Sequence, residues 1–198
     1  MIFGGNNIYG VTFSAAKKTK ISVAHSKRLR DVAEDDITFT EEDADGLLLP
    51  HNDALVISHN VLDFKSKLVL VDPGSSANII QWRVLEQAKL TGSIIPATKL
   101  LVGFNLESVT IRGEILLPTN AEGVMKTTLF EIVDGDMGYH INLGRPWLHE
   151  MKVVPSIYRQ LLKFPTPEGI KKIRGDQPAA REMNAISVSS SKGKEHAA

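Results

Sequence analysis

The chain has 198 residues, a length that suits one domain of ordinary size with additional segments. Its 23 Lys+Arg and 23 Asp+Glu residues balance, which excludes a strong overall field for nucleic acid or an anionic membrane. The absence of cysteine excludes disulfides, cysteine nucleophiles and thiolate metal sites, and it fits an intracellular, cytoplasmic protein. No apolar run approaches the roughly 20 residues of a membrane-spanning helix, so we expect a soluble protein without a membrane partner.

Residues 14–45 are dense in charge, with a basic block followed by an acidic block. Few large apolar residues interrupt the charges, so this segment cannot bury enough surface to offset the entropy of ordering it. We therefore predict that residues 1–45 form a largely disordered, poorly packed linker. Nucleic-acid binding by the basic block, Lys17 to Arg30, is an alternative, but the acidic residues that follow argue against nucleic acid as a partner.

From Leu47 onward the sequence changes to short apolar runs that are typical of strands. Residues 54–59 and 67–71 are two such runs, and the segment between them has a length that suits a hairpin. The stretch 78–90 places its apolar residues on one helical stripe and stops beside Gly92, which predicts a short helix. Further predicted strands, each bounded by glycine, proline or asparagine, are 99–102, 108–117, 124–133, 140–143 and 158–164.

These elements predict a mainly β domain over residues 46–165 with one or two short helices. The second helix is expected at 146–151, where a proline at the first position favours a helix start. Residues 166–198 are predicted to be a C-terminal extension, because the regular pattern fades after Pro165. Its last part, residues 187–198, is small and polar and predicts a disordered tail.

The sharpest local feature is an apolar strand that ends in Asp72-Pro73-Gly74, followed by Ser75 and Ser76. Gly74 allows the backbone to approach the Asp72 carboxylate, and a hydroxyl such as that of Ser75 can donate a hydrogen bond to its outer oxygen. Asp-x-Gly alone is also compatible with an ordinary turn in which Asp72 only accepts hydrogen bonds from backbone amides. The motif therefore needs a second feature before it indicates chemistry.

That second feature is Ile141-Asn-Leu143-Gly144, which leads into Arg145-Pro-Trp-Leu. Together with Asp72-Pro-Gly-Ser-Ser it resembles the retropepsins encoded by plant gypsy-type retrotransposons. Flanking phrases extend the resemblance to a gag-pol polyprotein fragment that runs from the end of the gag region through the protease. They are Ile2-Phe-Gly-Gly, Ile37-Thr-Phe-Thr-Glu-Glu-Asp-Ala, Pro50-His-Asn-Asp-Ala-Leu-Val, Lys163-Phe-Pro-Thr-Pro-Glu-Gly and Arg174-Gly-Asp-Gln-Pro-Ala-Ala-Arg-Glu.

The resemblance implies a small closed β-barrel and an aspartic endopeptidase that works as a homodimer on a peptide or polyprotein substrate. It assigns the single catalytic carboxylate of each subunit to Asp72, with Pro73 to Ser76 as the active-site loop. It makes Leu143 and Gly144 a structural motif and implies no cofactor. It also makes 103–113 resemble the flap hairpin over the substrate, with flap residues Gly103, Phe104 and Asn105. An ordinary surface hairpin is the alternative for this segment.

Two other sequence features are possible sources of chemistry. Asp136-Met-Gly138 also reads Asp-x-Gly, but no apolar strand directly precedes it and a tyrosine follows it, so we do not expect a second catalytic loop. His149-Glu150 lacks the second histidine of the zinc-protease signature, so no metal site is predicted. One carboxylate per chain then requires a dimer for activity.

Pro73 departs from the family pattern, in which the residue between Asp and Gly is usually Thr or Ser. In active members that hydroxyl helps to join the two loops across the dimer axis, and proline offers neither a hydroxyl nor an amide hydrogen. The sequence therefore leaves enzymatic activity open. The alternative is a catalytically inactive module of the same fold, derived from a decayed retroelement, that would serve dimerisation or peptide binding.

Overall fold

The computed structural model describes residues 36–62, 64–102, 108–135 and 137–183, with the backbone alone at Val102. The strands, in chain order, are β1 Val56–Val61, β2 Phe64–Val71, β3 Ile79–Gln81, β4 Leu100–Val102, β5 Ser108–Thr110, β6 Gly113–Ala121, β7 Val124–Val133, β8 Ile141–Leu143, β9 Val154–Ser156, β10 Leu161–Thr166 and β11 Gly169–Arg174. The helices are α1 Trp82–Gln87, α2 Arg145–Glu150 and α3, residues 177–183, with 3-10 turns at Glu41–Ala44 and Thr91–Ser93.

Alternating side chains on the two longest strands, β6 and β7, build one wall of a closed barrel. Ile115 faces Phe130 across this antiparallel pair, and both side chains are buried in the core. The barrel closes in the order β1-β2-β8-β3-β7-β6, with β2 parallel to β8 and β3 parallel to β7. The parallel pair β2–β8 matters for the site, because it places the ends of these two strands side by side.

The predicted mainly β fold with a closed barrel and short helices is confirmed. The first helix is shorter than predicted, because residues 79–81 form β3 and pair with both β7 and β8. The backbone hydrogen bonds of this barrel strand outweigh the helical pattern of its side chains, which is the usual way tertiary context overrides local propensity. The helix ends at Gln87, and Lys89 adopts a positive φ of 57°.

Both flanks of the predicted domain contain packed residues. Residues 36–45, which the charge pattern predicts to be unpacked, hold Asp43 at 2% exposure, and the 3-10 turn around it contacts the β10–β11 hairpin. Strand β11 and helix α3 lie within the predicted C-terminal extension. The two lysine partners of Asp43 come from more than 100 residues away along the chain, so a local count of charges cannot find them. The predicted linker residues 1–35 and the tail 184–198 lie outside the described residues.

Among the described residues, no helix has the length and apolar character needed to cross a membrane.

Candidate active site

Asp72 follows directly after β2 and is joined to the end of β8. The parallel pairing sets Val71 beside Leu143, and the Asp72 backbone N–H donates a hydrogen bond of 3.0 Å to the Leu143 carbonyl oxygen. Leu143 itself is fully buried in the barrel core. The carboxylate therefore stands on a rigid strand end, the kind of support that holds a functional group in a fixed position.

A tight turn holds the Asp72 carboxylate. The Gly74 N–H donates to Asp72 Oδ1 at 2.8 Å, and the Ser75 N–H donates to the Asp72 carbonyl oxygen at 3.1 Å. Pro73, Gly74 and Ser76 are exposed, whereas Asp72 and Ser75 are half-buried. The loop thus presents a carboxylate with one oxygen anchored by a backbone amide, next to backbone that a partner can reach.

The Ser75 hydroxyl does not bind the carboxylate as the sequence suggested. Its Oγ donates to the Ala77 carbonyl oxygen at 2.8 Å and lies 3.4 Å from the Ala77 nitrogen. Serine hydroxyls often bond to backbone groups two residues away, and such a local partner is reached without any movement of the loop. The donor to Asp72 in this structure is the Gly74 amide instead.

Gly144 is the point where the second predicted motif meets the Asp72 loop. A Cβ atom at Gly144 would lie 2.2 Å from the Ala77 carbonyl oxygen and 2.9 Å from the Ser75 carbonyl oxygen, so no other residue fits without moving backbone. The Arg145 N–H donates to Ser75 O at 3.0 Å, and its guanidinium lies 3.4 Å from Gly74 O. The start of α2 therefore braces the loop, and the two sequence motifs form one structural unit.

Asn78 is a site residue that the sequence analysis missed. It is 3% exposed, its Oδ1 accepts a 3.0 Å hydrogen bond from the Gly144 N–H, and its Nδ2 donates to the Leu129 carbonyl oxygen at 3.1 Å. One side chain thus ties the Asp72 loop to β7 and β8. The sequence does place an asparagine between a run of small residues and an apolar strand. A side-chain amide that is buried at such a position needs hydrogen-bond partners, so this pattern could have indicated Asn78.

The candidate flap is the β4–β5 hairpin, which forms a two-stranded sheet separate from the barrel. Leu100 pairs with Thr110 and Val102 with Ser108. The predicted flap residues Gly103, Phe104 and Asn105 lie outside the described residues, as does Asp136 of the rejected second motif. The structure therefore describes the two arms of the hairpin and its base.

The chemistry open to the described site is that of a carboxylate. Asp72 supplies the carboxylate of the predicted catalytic set, with one oxygen held by the Gly74 amide and its loop braced by Gly144 and Asn78. Within residues 36–183 as described, no group of three or more His, Asp or Glu side chains is arranged to hold a metal ion. A carboxylate acts as a general acid or base when its proton can be exchanged with a reacting group.

Comparison with solved structures identifies the fold. The retroviral protease-like domain of Ddi1 from Leishmania major matches with a TM-score of 0.52 and 16% identity, over 64% of this chain and 96% of that chain. The EIAV protease complexed with the inhibitor HBY-793 matches with a TM-score of 0.46 and 14% identity, over 56% of this chain and 99% of that chain. A retropepsin-like aspartic protease from Rickettsia conorii matches with a TM-score of 0.41 and 15% identity, over 59% and 79%.

No protein-family model and no curated protein matches the chain. At 16% identity, the likeness to the Ddi1 domain concerns the fold alone, and that fold is a retropepsin-like barrel.

Proposed function

We propose that the chain is one subunit of an aspartic endopeptidase and that two copies bring their Asp72 carboxylates together to hydrolyse peptide bonds. The observation that carries the proposal is the Asp72 turn, which a backbone amide closes and the Gly144 contact braces, at a strand end of a retropepsin-like barrel. An ordinary turn aspartate does not need a second segment of chain packed this closely against its loop.

Two neighbouring carboxylates cannot both ionise cheaply, so the pair shares one proton. The ionised member takes a proton from water, whose oxygen attacks the peptide carbonyl carbon, while the protonated member donates its proton toward the carbonyl oxygen. Collapse of the tetrahedral intermediate then breaks the C–N bond. The protonated member gives its proton to the leaving nitrogen, and the ionised member takes a hydroxyl proton as the C=O bond re-forms, so the pair again holds one proton. A single Asp72 cannot act as both acid and base in the same step, which is why the proposal requires a dimer.

The natural substrate under this proposal is an extended segment of polypeptide, and the polyprotein that contains the chain is the first candidate. The support is the resemblance of Ile2-Phe-Gly-Gly and the segments after Lys163 to a plant gypsy-type gag-pol region. The β4–β5 hairpin would cover the bound segment and exclude water from the reacting bond.

A second candidate function is an inactive module of the same fold that binds a peptide or dimerises. Pro73 favours it, because this exposed residue lacks the hydroxyl that joins the two loops in active family members. Both functions predict a folded barrel, and only the first predicts cleavage that depends on Asp72.

Digestion of a peptide library at acidic and neutral pH tests the proposal. We expect the wild-type chain to cleave extended peptides and Asp72→Asn to lose this activity by about 1000-fold or more, because the amide keeps the shape of the side chain but cannot share the proton. Asp45→Asn is the matched control, since Asp45 is exposed and remote in sequence from the loop. Equal cleavage by wild type and Asp72→Asn would reject Asp72 as the catalytic residue, and no cleavage by either would favour the inactive module.

A further inference from the structure

The β4–β5 hairpin packs little of its surface against the rest of the described chain. All three residues of β5 are exposed, and Leu100 on β4 is 66% exposed. A segment with few buried apolar contacts has a low local stability, so modest interactions at its base can decide its position. The charged residues on either side of the hairpin should therefore influence its position more than similar residues would beside a well-packed element.

The incoming arm is tied to the barrel by Lys99, the residue before β4. Glu114 and Glu131 lie directly opposite each other on β6 and β7, with side chains only 17% and 15% exposed. Like charges at such a cross-strand position repel each other, and partial burial strengthens the repulsion. The Lys99 Nζ hydrogen-bonds Glu114 Oε1 and lies 3.6 Å from Glu131 Oε1, so one cation offsets both carboxylates. The Glu114 hydrogen bond correspondingly raises the pKa of Lys99.

The outgoing arm is tied by Arg112, two residues after β5. Its guanidinium carbon lies 4.4 Å from the centre of the Trp82 ring, and its Nη2 is paired with Asp134 Oδ2. The Arg112 N–H also donates to Ile132 O at 2.8 Å, which fixes the backbone below the side chain. An arginine that stacks on an aromatic face and pairs with a carboxylate is held in one orientation more firmly than a lysine would be.

Gly113 brings these two connections close together. A Cβ at this position would lie 2.7 Å from both the Ile94 side chain and the Ile95 carbonyl oxygen, and Glu114 exchanges two backbone hydrogen bonds with Ile95. The segment before the hairpin and the strand after it are therefore locked side by side. Lys99 and Arg112 lie where the two arms leave this base, and their side chains contact residues outside the hairpin.

We propose that Lys99 and Arg112 are positioning residues that form a hairpin latch, in which Lys99 holds the Glu114–Glu131 pair and Arg112 holds Trp82 and Asp134. The latch sets how far the β4–β5 hairpin opens from the barrel, and through that movement it sets how tightly an extended peptide is held. The second part rests on the proposed endopeptidase function. Because Lys99 and Arg112 are about half exposed, added salt weakens the latch.

Hydrogen exchange of the full-length protein tests the latch without any need for activity. In Lys99→Met and Arg112→Lys we expect the amides of β4 and β5 to exchange about two- to fivefold faster than in wild type, the range that an exposed ion pair supports. The control is Lys126→Met, which removes a lysine of similar exposure, 4.0 Å from Glu150 on α2. Lys126→Met should leave the exchange rates of the β4 and β5 amides unchanged. In 1 M salt, the exchange rates of wild type and of the latch variants should become more similar.

Tryptophan fluorescence reports the contact between Arg112 and Trp82, because the guanidinium group lies over the Trp82 ring. Trp147 is fully buried, so its emission should be the same in all variants. Arg112→Lys should change the emission of Trp82, and Lys126→Met should not. Unchanged exchange in both latch variants would overturn the proposal, even if their emission changed.

Peptide cleavage tests whether the latch affects how tightly a peptide is held, and it distinguishes this effect from the proposed endopeptidase function itself. If the chain is an endopeptidase, the latch variants should raise KM about two- to fivefold with little effect on kcat. A loosened hairpin with an unchanged KM would overturn the substrate-holding part. A chain without peptidase activity would instead reject the endopeptidase function, and hydrogen exchange would still decide whether the latch exists.

Discussion

His59 on β1 shows how a single buried residue makes the barrel sensitive to acid. It is 2% exposed, its ring meets the Trp147 ring edge-on at 5.3 Å, and its Nε2 has no hydrogen-bond partner among the described residues. Burial lowers the pKa of His59 from 6.5 to about 4. The folded protein therefore keeps the ring neutral, whereas the unfolded chain takes up a proton as the pH falls below 6.5. The stability associated with neutral His59 is complete above that pH and is lost progressively toward pH 4.

His59→Phe should remove this pH dependence, because phenylalanine keeps an aromatic ring against Trp147 and cannot be protonated. Between pH 7 and pH 4.5 we expect wild type to lose on the order of 2–3 kcal/mol more unfolding free energy than the variant. Urea unfolding at several pH values measures the difference. His149→Phe, at an exposed position, is the control and should follow wild type. Parallel pH profiles for wild type and His59→Phe would contradict the assignment.

At this scale the sequence predicted Asp72, Gly74, Leu143 and Gly144 as parts of one site because their two motifs together resemble those of retropepsins. It could not choose the acceptor of the Ser75 hydroxyl, since backbone and carboxylate acceptors lie within similar reach and only the loop geometry selects Ala77. Asn78 was missed for a related reason. A buried amide is recognised by its partners, and those partners, Gly144 and Leu129, are distant in sequence.

At the scale of elements, the segment 36–45 is joined to the β10–β11 hairpin by a buried ion pair. Asp43 Oδ2 lies 2.5 Å from the Lys163 Nζ, and Asp43 Oδ1 lies 3.0 Å from the Lys172 Nζ. Lys163 is 5% exposed, and its ammonium group also donates a hydrogen bond of 2.8 Å to the Thr38 carbonyl oxygen. The Lys163 hydrogen bond, followed by the Thr40 amide, holds the pKa of Asp43 well below its usual range. The stability from Asp43 is therefore present above the ordinary carboxyl pKa and is lost as the pH falls below it.

Asp43→Asn should destabilise the domain by about 3–5 kcal/mol, because it leaves the Lys163 charge buried without its counter-ion. The double variant Asp43→Leu, Lys163→Met should recover most of that loss, since it removes both charges and keeps apolar volume. Thermal or urea unfolding measures both, with Asp45→Asn as an exposed control in the same turn. A double variant as unstable as Asp43→Asn would show that the turn itself, and not the unpaired charge, sets the stability.

The elements that the sequence predicted best are those whose pattern is local. The apolar run before Asp72 and the strand β7 needed no tertiary information. The predicted strand 108–117 is instead divided at Ile111 and Arg112 into β5 and the start of β6. Segment 36–45 and β11 were not predicted, because charged residues there are stabilised by each other across the fold. Composition describes the cost of ordering such a segment, and it contains no information about a distant ion pair that offsets the cost.

At the scale of the whole molecule, the described chain offers one Asp72 loop, so its proposed chemistry belongs to a pair of molecules. The closed barrel has no free edge, so contact with a second copy would involve its loops, the β4–β5 pair or the smaller β9–β10–β11 sheet. In β9 the central residue is Pro155, which has no N–H to donate to another strand. The proposed assembly can be tested with one substitution in the Asp72 loop, at the exposed Pro73.

Pro73→Thr tests whether the missing hydroxyl limits dimerisation. Pro73 is exposed in the turn that Asp72 and Gly74 close, and threonine there would supply the hydroxyl that joins the two loops in active members of the family that the sequence resembles. One hydrogen bond is worth about 0.5–1.5 kcal/mol, and the two-fold symmetry of a dimer applies it twice, so dimer affinity should rise by up to roughly a hundredfold. Sedimentation at low micromolar concentration should find wild type largely monomeric and Pro73→Thr largely dimeric.

Peptide cleavage by the same samples completes the test, because activity should follow the dimer fraction in both proteins. Pro73→Thr should be the more active at low concentration, and the two should converge as concentration increases. Pro73→Thr combined with Asp72→Asn is the control: it should dimerise like Pro73→Thr and cleave nothing. A wild-type chain that is fully active as a monomer would reject the shared pair of carboxylates, because one Asp72 would then be enough for the reaction. An unchanged dimer affinity in Pro73→Thr would instead show that contacts outside the loop determine assembly.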